Sequence, residues 1–250
     1  MPSTGKVKNN KRKAKSRRKI VRNFYHFSLD LIFPKTCIGC GRAGKTLCAD
    51  CKNQIKMVKT FCCPRCGRIN RNGGYCPNCE NQKKNFLTGV LVAADYERGP
   101  TKELIHHLKY AGIIEVAPIL AGMLISRLAK SKLRGKKVLV PVPLHWFKKR
   151  SRGFNQAEIL AKIVSYKAEI PLALALKRKK NTKSQVELTG RERRENLVGA
   201  FVCVDAAAVK DKTVILVDDV ATTGTTLNEC ARVLRTAGAR QVWGLVVARG

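Results

Sequence analysis

The run Val214-Ile215-Leu216-Val217-Asp218-Asp219-Val220-Ala221-Thr222-Thr223-Gly224-Thr225-Thr226 constrains this chain more than any other stretch. Its four leading aliphatic residues show no polar alternation, which is the pattern of a strand buried on both faces of a parallel sheet. Two carboxylates stand where the apolar run stops. A loop of small and hydroxyl-bearing residues follows, and 227–234 then has helical apolar spacing. Strand, loop and helix N-terminus together make a cradle for a phosphate, because backbone amides and the helix dipole both favour an anion there. Thr222, Thr223, Thr225 and Thr226 offer hydroxyls, and Gly224 lets N–H groups approach closely. The acid pair repels phosphate but accepts hydrogen bonds from sugar hydroxyls, so the stretch suits a ribose that carries a phosphate. The plainer reading is a strand end followed by a Thr-capped helix. Against it, two adjacent carboxylates at a buried strand terminus are costly without a task.

This pattern resembles the phosphoribosyl-pyrophosphate-binding motif of type I phosphoribosyltransferases. The resemblance implies that Asp218 and Asp219 hold the ribose hydroxyls, while Ala221, Thr222, Thr223, Gly224, Thr225 and Thr226 wrap the 5′-phosphate. It is not a Walker A loop, since no Gly-Lys-Ser/Thr follows.

The surrounding chain alternates strand and helix patterns. Residues 87–94, 137–144, 213–217 and 242–247 read as strands, and 101–110, 116–130, 155–166 and 227–234 as helices. Such alternation predicts an α/β fold with a parallel sheet covered on both faces. Ligands gather at the carboxyl ends of such strands, where Asp218 and Asp219 fall. With 250 residues there is room for this domain and one smaller module.

Nine of the eleven cysteines lie between 37 and 79, in four C-x-x-C pairs: Cys37/Cys40, Cys48/Cys51, Cys63/Cys66 and Cys76/Cys79, with Cys62 left over. In a reducing compartment such knuckles read as metal sites before disulfides. Four thiolates suit zinc, so eight make two structural sites of a double zinc ribbon. Sequential pairing is the simplest, and a crossed pairing stays open. Four repeats without a thioredoxin-like pattern argue against a redox role. Cys203 and Cys230, in apolar surroundings, read as core residues.

The charge is extreme: 50 Lys and Arg against 17 Asp and Glu, a net +33. Residues 1–29 hold ten basic residues and no acidic one, so 1–30 reads as a basic disordered tail, ahead of a ribbon at 31–85 and an α/β domain at 86–250. The surplus implies polyanionic partners or strong non-specific attraction to them, with a Lys/Arg-rich proteome as the competing explanation. No secretory h-region and no transmembrane-length apolar run is present, so a cytoplasmic location is expected.

Two more segments belong with the motif at 214–226. In 142–157, a strand ending in prolines leads into a basic loop whose Lys148, Arg150 and Arg152 suit pyrophosphate. The polar stretch 178–201, with Gln185 and Arg193, reads as a lid over the site. The order Arg152-Gly153-Phe154-Asn155-Gln156-Ala157, then Thr182/Gln185/Leu188, then Arg193/Asn196/Gly199/Ala200/Phe201, then 217–226 resembles the ComF family, and the zinc knuckles fit it too. One departure is Trp146-Phe147, where the family pattern has a basic residue; Lys148 can stand in. The resemblance implies phosphoribosyl pyrophosphate with Mg²⁺ as ligand, single-stranded DNA and the DNA-uptake machinery as partners, and natural transformation as the setting. It leaves open an enzyme, a single-stranded-DNA-binding module with a non-catalytic pocket, and a nucleotide-salvage transferase. No acceptor base is indicated.

Overall fold

The structure is a computed structural model and describes residues 35–80, 85–179 and 199–250. The predicted tail over 1–30 lies outside the described residues. The chain divides into two compact units, Met1–Ala49 and Asp50–Gly250.

In the first unit, the described chain folds back on itself through a bridge between Thr36 and Ala43. Gly41 adopts φ 73° in the knuckle turn, a conformation that costs glycine little. Its amide donates to the Cys37 carbonyl at 2.7 Å.

The second unit begins with helix α1, Ala49–Asn53, which continues from the last residue of the first. It then carries a small hairpin, β1 (Phe61–Cys62) with β2 (Ile69–Asn70), and a short helix α2, Pro77–Glu80. Its main body has β3 (Gly89–Asp95), α3 (Thr101–His106), a π-helical turn His107–Ala111, a 3₁₀ turn Ile114–Val116, α4 (Ala117–Ala129) and β4 (Lys137–Pro141). After these come α5 (Trp146–Arg152), α6 (Gln156–Ala168), β5 (Leu176–Arg178), β6 (Phe201–Cys203), β7 (Thr213–Ala221), α7 (Thr225–Thr236) and β8 (Gln241–Arg249).

The sheet runs β3-β8-β7-β4 and every pairing is parallel. β7 and β8 are central, which explains their unbroken aliphatic runs: both faces are covered, so neither can alternate. Val214, Ile215, Leu216 and Val217 are all fully buried. Val214 and Leu216 join Leu227, Cys230 and Leu234 of α7 in one core. The pleat then directs Ile215 and Val217 to the other face, where α4 and α6 pack. Burying each such side chain contributes about 2 kcal/mol.

The α/β class and the parallel sheet are as predicted, and three local expectations are corrected. The basic loop after the prolines is helix α5, because the buried His145 caps it: its Nδ1 accepts from the Phe147 amide at 3.3 Å, and Gly153 closes it at φ 82°. The ends of the polar 178–201 segment are strands, β5 and β6, paired antiparallel. β7 runs on to Ala221, so the acid pair lies within the strand instead of after it.

The ribbon portion of this unit is joined to α4 and to β3, where the Val58 amide donates to the Ala93 carbonyl at 2.9 Å and the Asp95 amide to the Lys56 carbonyl at 2.9 Å. The α4 residue Arg127, only 2% exposed, donates to the carbonyls of Val58 at 3.1 Å and Thr60 at 2.7 Å, and lies over the Phe61 ring. Gly89 opens β3 against Gly74, and the Val90 amide donates to the Gly73 carbonyl at 3.0 Å.

Candidate functional site

The site forms where β7 passes into α7. Successive strand residues face opposite sides of a sheet, so Asp218 and Asp219 look in different directions. Asp219, 3% exposed, meets Lys109: Nζ to Oδ1 is 2.8 Å. Its other oxygen, Oδ2, is buried with no hydrogen-bond partner among the described residues. Burial pulls the Lys109 ammonium down, but the charge and hydrogen bond of Asp219, with Asp218 behind it, raise it overall. Lys109 is thus a firm cation.

Asp218 lies on the side of α7 and shares its surroundings with Arg178 and Cys230. Its Oδ1 accepts from the Asp219 amide at 2.9 Å. Burial and then the Asp219 charge push its carboxyl up to about 7, against the opposing pull of Lys109, that amide and Arg178. The two acids therefore differ in their surroundings: Asp219 is ion-paired with Lys109, and Asp218 titrates near neutrality.

Ala221 ends the strand and is buried, whereas Thr222 and Thr223 are exposed. The Thr223 and Thr225 hydroxyls lie 2.8 Å apart and brace the turn. Gly224 sits at φ 73°, where a Cβ would meet nothing within 4 Å. The ground above the loop is open, and Thr225 and Thr226 form the first turn of α7 behind it.

Facing the acids is a basic cluster. Burial, then Arg178, Arg152 and Lys109, lower the Lys148 ammonium, so these four cations share one field. Arg152 donates to Gln156 Oε1 at 2.7 Å and lies over the Tyr110 ring. Burial, Arg178 and Lys148 keep His145 neutral-leaning, consistent with Nδ1 accepting the cap hydrogen bond. Of the predicted site residues, Asp218, Asp219 and Ala221 to Thr226 follow one another at the β7–α7 junction, and Lys148 and Arg152 share a field with Lys109, the partner of Asp219. Arg150 is exposed on α5, and no described contact brings it into the cluster. Gln185 and Arg193 lie outside the described residues.

Sequence reasoning misses Lys109 and the role of Arg178. Lys109 belongs to the π-helical turn, whose Gly112 amide bonds back to the His107 carbonyl five residues earlier. Such turns recur at functional sites. Arg178 is placed by β5 pairing with β6 and stacks over Phe201.

The cysteines gather as the knuckle spacing predicts. Cys63, Cys66, Cys76 and Cys79 have Sγ atoms all within 4.8 Å of one another, and Cys37, Cys40, Cys48 and Cys51 form the other group. None of these cysteines is in a disulfide. A Zn–S distance of about 2.3 Å requires tetrahedron edges of about 3.8 Å. Cys66–Cys76 at 3.6 Å and Cys40–Cys48 at 3.7 Å match that. Amide donors favour the thiolate form: the Cys48 amide, at 3.3 Å, leads in lowering Cys37 to about 6. Burial raises Cys63, but the amides of Cys66, Cys76 and Arg65 outweigh it and bring it to about 6. The donor set fits structural zinc, and the pairing is sequential. Of the other three cysteines, Cys230 is fully buried, and Cys62 and Cys203 are half-buried.

Comparison with known proteins finds both modules. Residues 151–249 match the phosphoribosyl transferase domain, and residues 28–80 the double zinc ribbon domain. Competence protein F of Haemophilus influenzae (strain ATCC 51907 / DSM 11121 / KW20 / Rd) is 34% identical over 239 residues, covering 90% of this chain and 99% of that protein.

The chain belongs to the ComF family.

Its other relatives include DNA utilization protein YhgH of Escherichia coli (strain K12), 32% identical over 211 residues, with 80% of this chain and 89% of that protein covered. Competence protein ComFC of Bacillus subtilis (strain 168) is 27% identical over 197 residues, covering 77% and 79%. For this ComF-family chain the order of modules is a zinc ribbon followed by a phosphoribosyltransferase-type sheet. No helix among the described residues is long and apolar enough to cross a membrane.

Proposed function

We propose that the pocket binds phosphoribosyl pyrophosphate with Mg²⁺, and that the protein acts in the cytoplasmic handling of imported single-stranded DNA during natural transformation. The observation that carries the ligand is the buried, partnerless Oδ2 of Asp219 beside an open Thr/Gly loop. An acceptor of this kind matches a donating sugar hydroxyl, since a buried carboxylate oxygen without a donor is costly. Asp218 holds the same ribose from the other side of β7. Thr222, Thr223, Gly224, Thr225 and Thr226 take the 5′-phosphate at the head of α7. Lys148 and Arg152 neutralise the pyrophosphate. Mg²⁺ arrives with the ligand and would supply charge neutralisation of the leaving pyrophosphate. The process is supported by the names of the relatives, two competence proteins and a DNA utilization protein.

Calorimetric titration of the full chain with phosphoribosyl pyrophosphate, with and without Mg²⁺, tests the ligand. Saturable binding that disappears in Asp218→Ala/Asp219→Ala is expected. No heat in the wild type, or equal binding by the variant, would end this reading. A transferase would in addition release pyrophosphate when offered a nitrogen acceptor. The alternative, a single-stranded-DNA-binding module that keeps the pocket without turnover, is favoured by the net +33 charge. Binding without pyrophosphate release across a panel of bases selects it.

A further inference from the structure

Helix α5 carries a feature the pocket does not use. Trp146 and Phe147 are 62% and 58% exposed, next to each other and edge to face. The rest of the helix is Lys148, Lys149, Arg150, Ser151 and Arg152, with no acidic residue. Leaving a tryptophan and a phenylalanine in water forfeits the burial of two large apolar side chains. The helix is also firmly held. His145, buried, caps its start and lies against Trp146, with ring centroids 5.6 Å apart. Gly153 ends it, and the buried Asn155 then bonds the Val142 carbonyl at 3.1 Å and caps α6. Two rigid rings and a row of cations are thus presented on a fixed support.

We infer that α5 is a contact surface for single-stranded nucleic acid, with bases stacking on Trp146 and Phe147 and phosphates held by Lys149 and Arg150. The occupant follows from charge and from geometry. Every charged residue of the helix is cationic, so it takes a polyanion. Paired bases hide their faces, and only an unpaired strand can offer them to exposed rings. A lipid surface is the other polyanion that receives Trp beside Lys and Arg. Membrane-lying helices, however, bury a long apolar face, and this helix has two apolar residues among seven. The strand would pass the pocket mouth, because Lys148 on the same helix shares its field with Lys109 and Arg178. The exposed Lys149 lies 3.5 Å from the partly buried carboxylate of Glu158, which Lys162 holds more closely at 2.8 Å, so a phosphate can draw Lys149 away. This surface deepens, and rests on, the reading of the protein as a handler of single strands.

The chain has two tryptophans, and the second, Trp243, is 5% exposed, so fluorescence quenching by a ligand reports on Trp146. The full-length protein is titrated with a thymidine 20-mer, with the matching duplex, and with vesicles of phosphatidylcholine and phosphatidylserine. The single strand is expected to quench Trp146 more than the duplex at equal phosphate. Trp146→Ala/Phe147→Ala, whose charge is unchanged, is expected to bind the 20-mer about tenfold more weakly with the same salt slope. Lys149→Ala/Arg150→Ala is expected to flatten the salt slope by about two. Unquenched Trp146 on saturating 20-mer, or binding by the aromatic variant within twofold of wild type, overturns the assignment. So does a variant that keeps the 20-mer and loses the vesicles, which would make α5 a membrane contact. A wild type that binds no 20-mer at all removes the strand-handling reading itself. Retained phosphoribosyl pyrophosphate binding and an unchanged thermal midpoint exclude misfolding of the aromatic variant, and if that variant proves unfolded, Trp146→Leu with the same quenching series decides.

Discussion

Lys109 and Asp219 lie 2.8 Å apart, on two elements that meet at the carboxyl end of the sheet. The pair joins the π-helical turn to the central strand. Removing one partner of such a buried pair leaves a stranded charge, which is worse than removing both. Lys109→Met is therefore expected to destabilise the protein by about 3 kcal/mol, and Lys109→Met/Asp219→Asn by much less. Urea unfolding of the two variants and the wild type measures this. Equal losses in single and double variants would show that the pair is not coupled.

The Asp218 carboxyl, pushed from 3.8 up to about 7, gives stability a pH signature. A group whose folded pKa is raised stabilises the native state fully below its unfolded pKa. That contribution is lost as pH rises through the folded value. Asp219, Lys109, Arg178, Cys230 and the Asp219 amide face it. Asp218→Asn is therefore expected to gain on the wild type between pH 4 and 8, by about 4 kcal/mol in total, and to level off above. Thermal unfolding of both proteins across that range checks the direction; a variant that gains nothing between pH 5 and 8 contradicts the burial.

Metal content is open to direct assay. Two zinc ions per chain are expected from the two four-cysteine groups. Cys63→Ser/Cys76→Ser is expected to hold one, with the other knuckles still loaded. Elemental analysis of gel-filtered protein decides, and a wild type purified under reducing conditions without zinc would rule out the ribbon as a metal module.

At Gly89 the backbone has no room for a side chain. A Cβ there would fall 2.4 Å from the Gly73 carbonyl oxygen and 2.4 Å from Trp243 Cζ3. Gly89→Ala must push the ribbon hairpin off the edge of β3, at about 1–3 kcal/mol. A urea midpoint equal to that of the wild type would show that the two parts separate without loss.

The core and the loop over 214–226 were legible because a doubly covered strand has an unmistakable composition, and Val214 to Val217 are all aliphatic. The knuckles were legible because ligand spacing is set by the metal. Other parts leave weaker traces. Leu104, Ile105 and Leu108 are spaced as in a continuous α-helix, so nothing in 101–111 announces the change of pitch before Lys109. Helix α5 is nearly all basic and is capped by a histidine, a residue outside the usual capping set. β5 and β6, three residues each, are too short for a period to register. Arg178 gains its place from a pairing 23 residues along the chain, its partner being Phe201.

The π-helical turn at His107–Ala111 has an evolutionary and engineering consequence. Each residue in a helix sweeps about 100° around the axis. The surplus residue in this turn therefore sets the compass bearing of everything on its downstream side. Trimming one position here would swing the ammonium away from the sheet without altering any side chain in the pocket, so the spacing of this segment is under the same constraint as the chemistry it serves.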